Sequence, residues 1–115
     1  MTVQNGLYSI EIEMREGGRG RATGILVLLD GKIAGGDSYF YYTGTYTNKN
    51  GRWFGELITR QHAPAVGKIL LFGGREVSCG FSGAYSEGSA EIDGTALVGK
   101  TSVLFRAILT LKSAL

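Results

Sequence analysis

His62, Cys79 and the pair Glu11 and Glu13 are the residue types here that most often carry chemistry, and none has the company that chemistry requires. His62 is the single histidine. As a general base it would need a nucleophile and an orienting carboxylate, and no motif nominates either, so a surface or loop histidine is expected. Cys79 is the single cysteine and falls in line with Phe81 on the alternation of its segment, which predicts a buried, inert thiol. One Cys and one His assemble neither a four-ligand zinc set nor an internal disulfide framework. Glu11 and Glu13 stand two apart on a strand and share a face, a spacing that could pair an acid with a base as in glycosidases, although such a face is more often simply solvated. Gly17-Gly18-Arg19-Gly20 has the glycines of a phosphate loop without the Walker spacing or its Lys-Ser/Thr ending, and with Arg15 and Arg21 it reads as a solvated turn. No catalytic residue, metal or cofactor is expected.

The aromatic residues have the stronger claim to function. Phe40, Tyr42 and Tyr46 alternate onto one face of a strand, and Phe81 and Tyr85 do the same further on. A buried tyrosine hydroxyl needs a hydrogen-bond partner, so these five residues are expected to line an apolar cavity with a few polar handles, the usual make-up of a small-molecule site. Tyr39 and Tyr41 would then face outward, where they suit a protein interface. Stacking of nucleobases is not expected, because no basic groove accompanies the rings. Asp37, between Gly36 and Ser38, is placed to organise a turn by bonding backbone N–H groups.

The elements that position these residues are strands. Leu7 to Met14 alternates, with Tyr8, Ile10, Ile12 and Met14 on one side; Ala22 to Leu29 is apolar on both faces; Lys32 to Ala34 pairs back across an Asp30-Gly31 turn. Tyr39 to Thr47, Arg52 to about Gln61, Glu76 to Tyr85, Ser89 to Val98 and Ser102 to Lys112 follow, the last with Val103, Phe105, Ala107, Leu109 and Leu111 opposite Arg106, Thr110 and Lys112. Residues 65–72 allow one short helix or a further strand. Short strands separated by turns every eight to twelve residues, without long crossovers, predict an all-β chain: a single antiparallel up-and-down β-barrel of about eight strands over residues 1–115.

Composition agrees. The 115 residues suffice for one core, and 43% apolar with 19% charged residues describes a globular chain, not a disordered one. Glycine supplies 19 residues, above the usual share of about 7%, against one proline, which fits tight turns and in-strand glycines that curl a sheet. A net charge of +2 without a basic half gives no footprint for direct nucleic-acid binding. Met1 to Gly6 carries no signal-peptide pattern and no apolar run reaches the roughly 20 residues of a membrane span, so no membrane contact and a reducing, cytoplasmic setting are expected. Phe40 to Ile58 also aligns without a gap on Cys79 to Leu97 at an offset of 39 residues, placing Tyr42-Thr43-Gly44-Thr45-Tyr46 on Phe81-Ser82-Gly83-Ala84-Tyr85 and Gly55 on Gly94, which reads as two copies of one hairpin.

The stretch Asp30 to Tyr39, with Gly35-Gly36-Asp37-Ser38-Tyr39 at its end, the following Tyr42-Thr43-Gly44-Thr45-Tyr46, and the preceding Asn5-Gly6-Leu7-Tyr8-Ser9-Ile10 and Gly24-Ile25-Leu26 resemble the GrlR-type negative regulators of type III secretion. The resemblance is clearest over about Asn5 to Arg60. It implies a lipocalin-like eight-stranded barrel that forms a homodimer, has an apolar cavity, and sequesters a transcriptional activator. It also implies an activator contact through acidic residues in the loop after the Tyr-x-Gly-x-Tyr strand, where this chain carries Asn48-Lys49-Asn50-Gly51 with the charge reversed. Asn48, Lys49 and Asn50 are therefore a candidate partner-binding loop by position. The expected function is a small regulatory binding protein, not an enzyme; the alternative is a carrier or sensor of a small apolar ligand.

Overall fold

In a computed structural model, which describes residues 3–16, 21–64 and 76–115, eight antiparallel strands follow one another around a closed barrel. They are β1 (Gly6–Glu16), β2 (Arg21–Leu29), β3 (Lys32–Gly36), β4 (Phe40–Lys49), β5 (Arg52–Gln61), β6 (Val77–Ser86), β7 (Ser89–Val98) and β8 (Thr101–Ala114). Each strand pairs with its chain neighbours, and β8 closes on β1 from Gly6 opposite Ala114 to Glu16 opposite Leu104, with register shifts at Leu7/Tyr8 and Met14/Glu16. Closure leaves no sheet edge exposed. The expected up-and-down barrel is thus observed. The short helix expected near 65–72 and the Gly-Arg turn at 17–20 lie outside the described residues. Among the described residues no helix is long and apolar enough to cross a membrane.

The turns explain the connectivity. Asp30-Gly31, Asn50-Gly51 and Glu87-Gly88 all have positive φ at both positions (48° and 85°, 52° and 78°, 30° and 77°), the backbone of the two-residue hairpin turn whose twist matches that of its strands. All three gather at one end of the barrel. The longer connections 37–39 and 62–76 leave from the other.

The lumen is packed by alternating large and small residues around the barrel. Along one register row Tyr46, Gly55, Phe81, Gly94 and Phe105 are neighbours on β4 to β8. Along the next, Trp53, Gly83, Ile92, Ala107 and Ile12 adjoin. The interior of an eight-stranded barrel is just wide enough for side chains to fill it or for one small ligand, so where rings fill it a ring requires a neighbour without one. At Gly94 a Cβ would lie 2.6 Å from Cε1 of Phe105, and at Gly83 it would lie 2.9 Å from Cα of Ile92. The expectation of two equivalent hairpins is corrected at this level. Gly55 pairs with Tyr46, yet Gly94, its counterpart, pairs with Phe81 and not with Tyr85. The second turn forms at Glu87-Gly88, two residues earlier than the repeat would place it, because Gly88 supplies the positive φ there.

Candidate functional site

Phe40, Tyr42, Tyr46, Phe81 and Tyr85 all point into the barrel and are buried, as the alternation requires. They fill the lumen more than they line a space. Trp53, only 1% exposed, stands edge-on to Tyr46 at 5.8 Å between ring centres and to Phe81 at 5.0 Å, which continues the ring packing across β4, β5 and β6. Among the described residues a pocket of about 20 Å³ lies between Ile10, Ile12, Leu26, Leu57, Ile92 and Phe105, with Tyr42, Thr59 and Cys79 also lining it. That is the room of about one water molecule. Tyr42 borders it; Phe40, Tyr46, Phe81 and Tyr85 do not. Thr59 Oγ1 and Trp53 Nε1 are buried without a hydrogen-bond partner among the described residues.

The tight-turn end is tied by tyrosine hydroxyls. Tyr85 accepts from the Gly88 N–H (3.2 Å) and donates to the Tyr8 hydroxyl (2.8 Å), which donates to the Gln4 carbonyl (2.6 Å). Burial, reinforced by the bond to Tyr85, raises the Tyr8 pKa well above the usual phenol range. The residues before β1 cover this end: Val3 is buried, its N–H donates to Asn48 Oδ1 (3.4 Å), and the Asn5 carboxamide bonds both the side chain and the N–H of Asp30 (2.9 and 3.0 Å). Of the candidate partner loop, then, half-buried Asn48 is directed at the chain's own Val3, Asn50 occupies the left-handed position of the turn, and Lys49 is exposed.

At the other end Asp37 organises the β3–β4 connection, as its place in the sequence suggested. Its Oδ1 accepts the N–H groups of Tyr39 (2.9 Å) and Phe40 (2.8 Å), and its Oδ2 accepts the Tyr42 hydroxyl in a short bond. Burial first, and the bond to Asp37 second, push the Tyr42 pKa strongly upward, so the phenol stays protonated. His62 is exposed; its Nε2–H donates to the Asp37 carbonyl (3.0 Å) and its backbone N–H to the Tyr39 carbonyl (2.7 Å). The histidine thus joins two connections, and the Asp37 carboxylate already accepts three donors. Cys79 is buried, and burial pushes its thiol up to about 12. Among the described residues no cluster of three His, Cys, Asp or Glu could hold a metal.

Sequence reading missed two groups. Trp53, Leu57 and Thr59 face inward on β5 although Phe54 and Ile58 are as apolar as their inward neighbours, which blurs the alternation. Tyr39, expected to face outward with Tyr41, instead packs partly against the core, because the Asp37 turn fixes its backbone. On β8 the outward positions include Leu104 and Ile108, and each stands among carboxylate-bearing strands. Comparison with known proteins adds no relative: no family model matches the chain, and no curated protein matches it.

Proposed function

We propose that this chain is a small, non-catalytic regulatory protein that acts by protein contact, sequestering a transcriptional activator in the manner of the GrlR-type regulators it resembles. One observation carries the reading: among the described residues the inward positions are taken by the chain's own rings, and the pocket beside Tyr42 has room for only about 20 Å³. Small-molecule sites usually enclose about 300 Å³ or more, so recognition falls to the outside of the barrel. The polar groups at both ends support the same division of labour, since Asp37, Tyr42, Tyr8 and Tyr85 spend their hydrogen bonds on the chain itself. A cytoplasmic location and a homodimeric state belong to the same proposal.

A carrier of a small apolar ligand is the second reading, favoured by the apolar wall of the cavity. It requires several rings to swing away from their packed positions. Affinity capture of the tagged chain from its native cells, with mass spectrometry of proteins and of extracted lipophilic molecules, tests both. A specific protein partner is expected. Recovery of a stoichiometric small molecule and no protein would replace the first reading by the second.

A further inference from the structure

We propose that the outer face of β7, β8 and β1 docks a basic amphipathic helix of a protein partner; the proposal rests on the protein-contact reading and gives it a place and a chemistry. The strand register sets the geometry. Ile108 on β8 lies between Glu91 on β7 and Glu11 on β1, and two residues earlier Arg106 lies between Asp93 and Glu13. Leu104 continues the same row of outward positions, opposite Thr95. Leu104 and Ile108 are 41% and 43% exposed. The result is an apolar, cationic, apolar spine with carboxylates on the strands at both sides. On the described outward positions of the three strands four carboxylates stand with two cations, Arg106 and Lys112, so the face is acidic on a chain whose formal net charge is +2.

The dimensions suit a helix. Strands two apart in a sheet are separated by about 9.6 Å, close to the 10–12 Å width of a helix with its side chains. Leu104 and Ile108 are about 14 Å apart along the strand, between two and three helical turns. A helix laid along β8 therefore seats an apolar stripe on the spine and brings Lys or Arg on each flank to the carboxylates. Arg106 contacts Glu91 at 2.8 Å, but both side chains are about half exposed, so this pair contributes little and yields to a partner's cation. Nucleic acids and anionic bilayers carry the same sign of charge as the face and are repelled by it.

The test uses the full chain and a fluorescent helical peptide of about 18 residues, five turns, with a leucine stripe flanked by lysines. Saturable binding by anisotropy is expected. The pair Glu91→Lys with Asp93→Lys, and separately Leu104→Ser with Ile108→Ser, should each weaken it about tenfold or more. Phe54→Ser, at an equally exposed ring on β5, should leave it unchanged. Unaltered binding by both double variants, or equal binding of a peptide with glutamate in place of lysine, overturns the proposal. A photoreactive residue at position 108, and another at 54, then tests the face in cells that make the chain. Cross-linking from 108 to a Lys- or Arg-rich segment of a protein supports the proposal. Capture from 54 alone overturns the face and leaves the protein-contact reading standing; capture of a second copy at 108 assigns the face to self-association and overturns the proposal; capture of nothing at either position overturns both.

Discussion

Cys79 and Thr59 face the same small cavity and make opposite predictions about stability. Burial holds the Cys79 pKa near 12, above the ordinary thiol value of about 8.5, so the folded state keeps a proton that the unfolded chain releases. The sign follows from linkage: the associated stability is intact below about pH 8.5 and is lost as pH rises toward 12. Tyr42 and Tyr8 are raised in the same direction and steepen the loss. Urea midpoints of the natural chain should therefore fall above about pH 8.5, and Cys79→Ala should flatten the early part of that fall; a pH-independent midpoint between 8 and 11 is the contrary result. Thr59 keeps a buried hydroxyl without a partner, so Thr59→Val, nearly the same shape and suited to a strand, should stabilise the protein by about 1 kcal/mol in denaturant titrations. The burial of Cys79 was legible from its alternation with Phe81. The orphaned hydroxyl of Thr59 was not, since a threonine in a strand is equally at home facing water.

At the scale of strands, in-strand glycines decide how the rings pack. Gly94 lies beneath the Phe105 ring, so Gly94→Ala should cost about 2 kcal/mol through overpacking. Gly80 faces outward on β6 with open space where its Cβ would stand, so Gly80→Ala should be neutral or slightly stabilising. Thermal unfolding of the two variants side by side checks the contrast, and equal effects would contradict it. The strands themselves were readable: Leu7 to Met14 is found as Gly6–Glu16, and Ser89 to Val98 as Ser89–Val98, because period-2 alternation marks them directly. The partnership of Gly94 with Phe81 was hidden. Pairing depends on where each turn closes, and the Glu87-Gly88 turn between β6 and β7 puts a glutamate at positive φ, which composition alone does not announce.

For the whole molecule, closure and packing of the lumen set the functional reading. The barrel was predictable from eight short neighbouring strands, whereas the amount of empty space was not: alternation places Phe40, Tyr42, Tyr46, Phe81 and Tyr85 inward but cannot tell rings that surround a ligand from rings that replace one. The outer face was obscured for a related reason. Leu104 and Ile108 interrupt the polar side of β8, and only the register with β7 and β1 gives them carboxylate neighbours. The claim that recognition belongs to the outside is tested most directly through Trp53, the single tryptophan, which lies among the packed rings. Its fluorescence should be followed while small lipophilic probes such as anilinonaphthalene sulfonate and a medium-chain fatty acid are titrated into the folded chain. A filled lumen predicts an emission maximum that does not change with probe. A saturable shift of the Trp53 emission maximum at one fatty acid per chain, an optically silent probe that cannot quench by energy transfer from the outer face, would contradict the account and establish an interior ligand site.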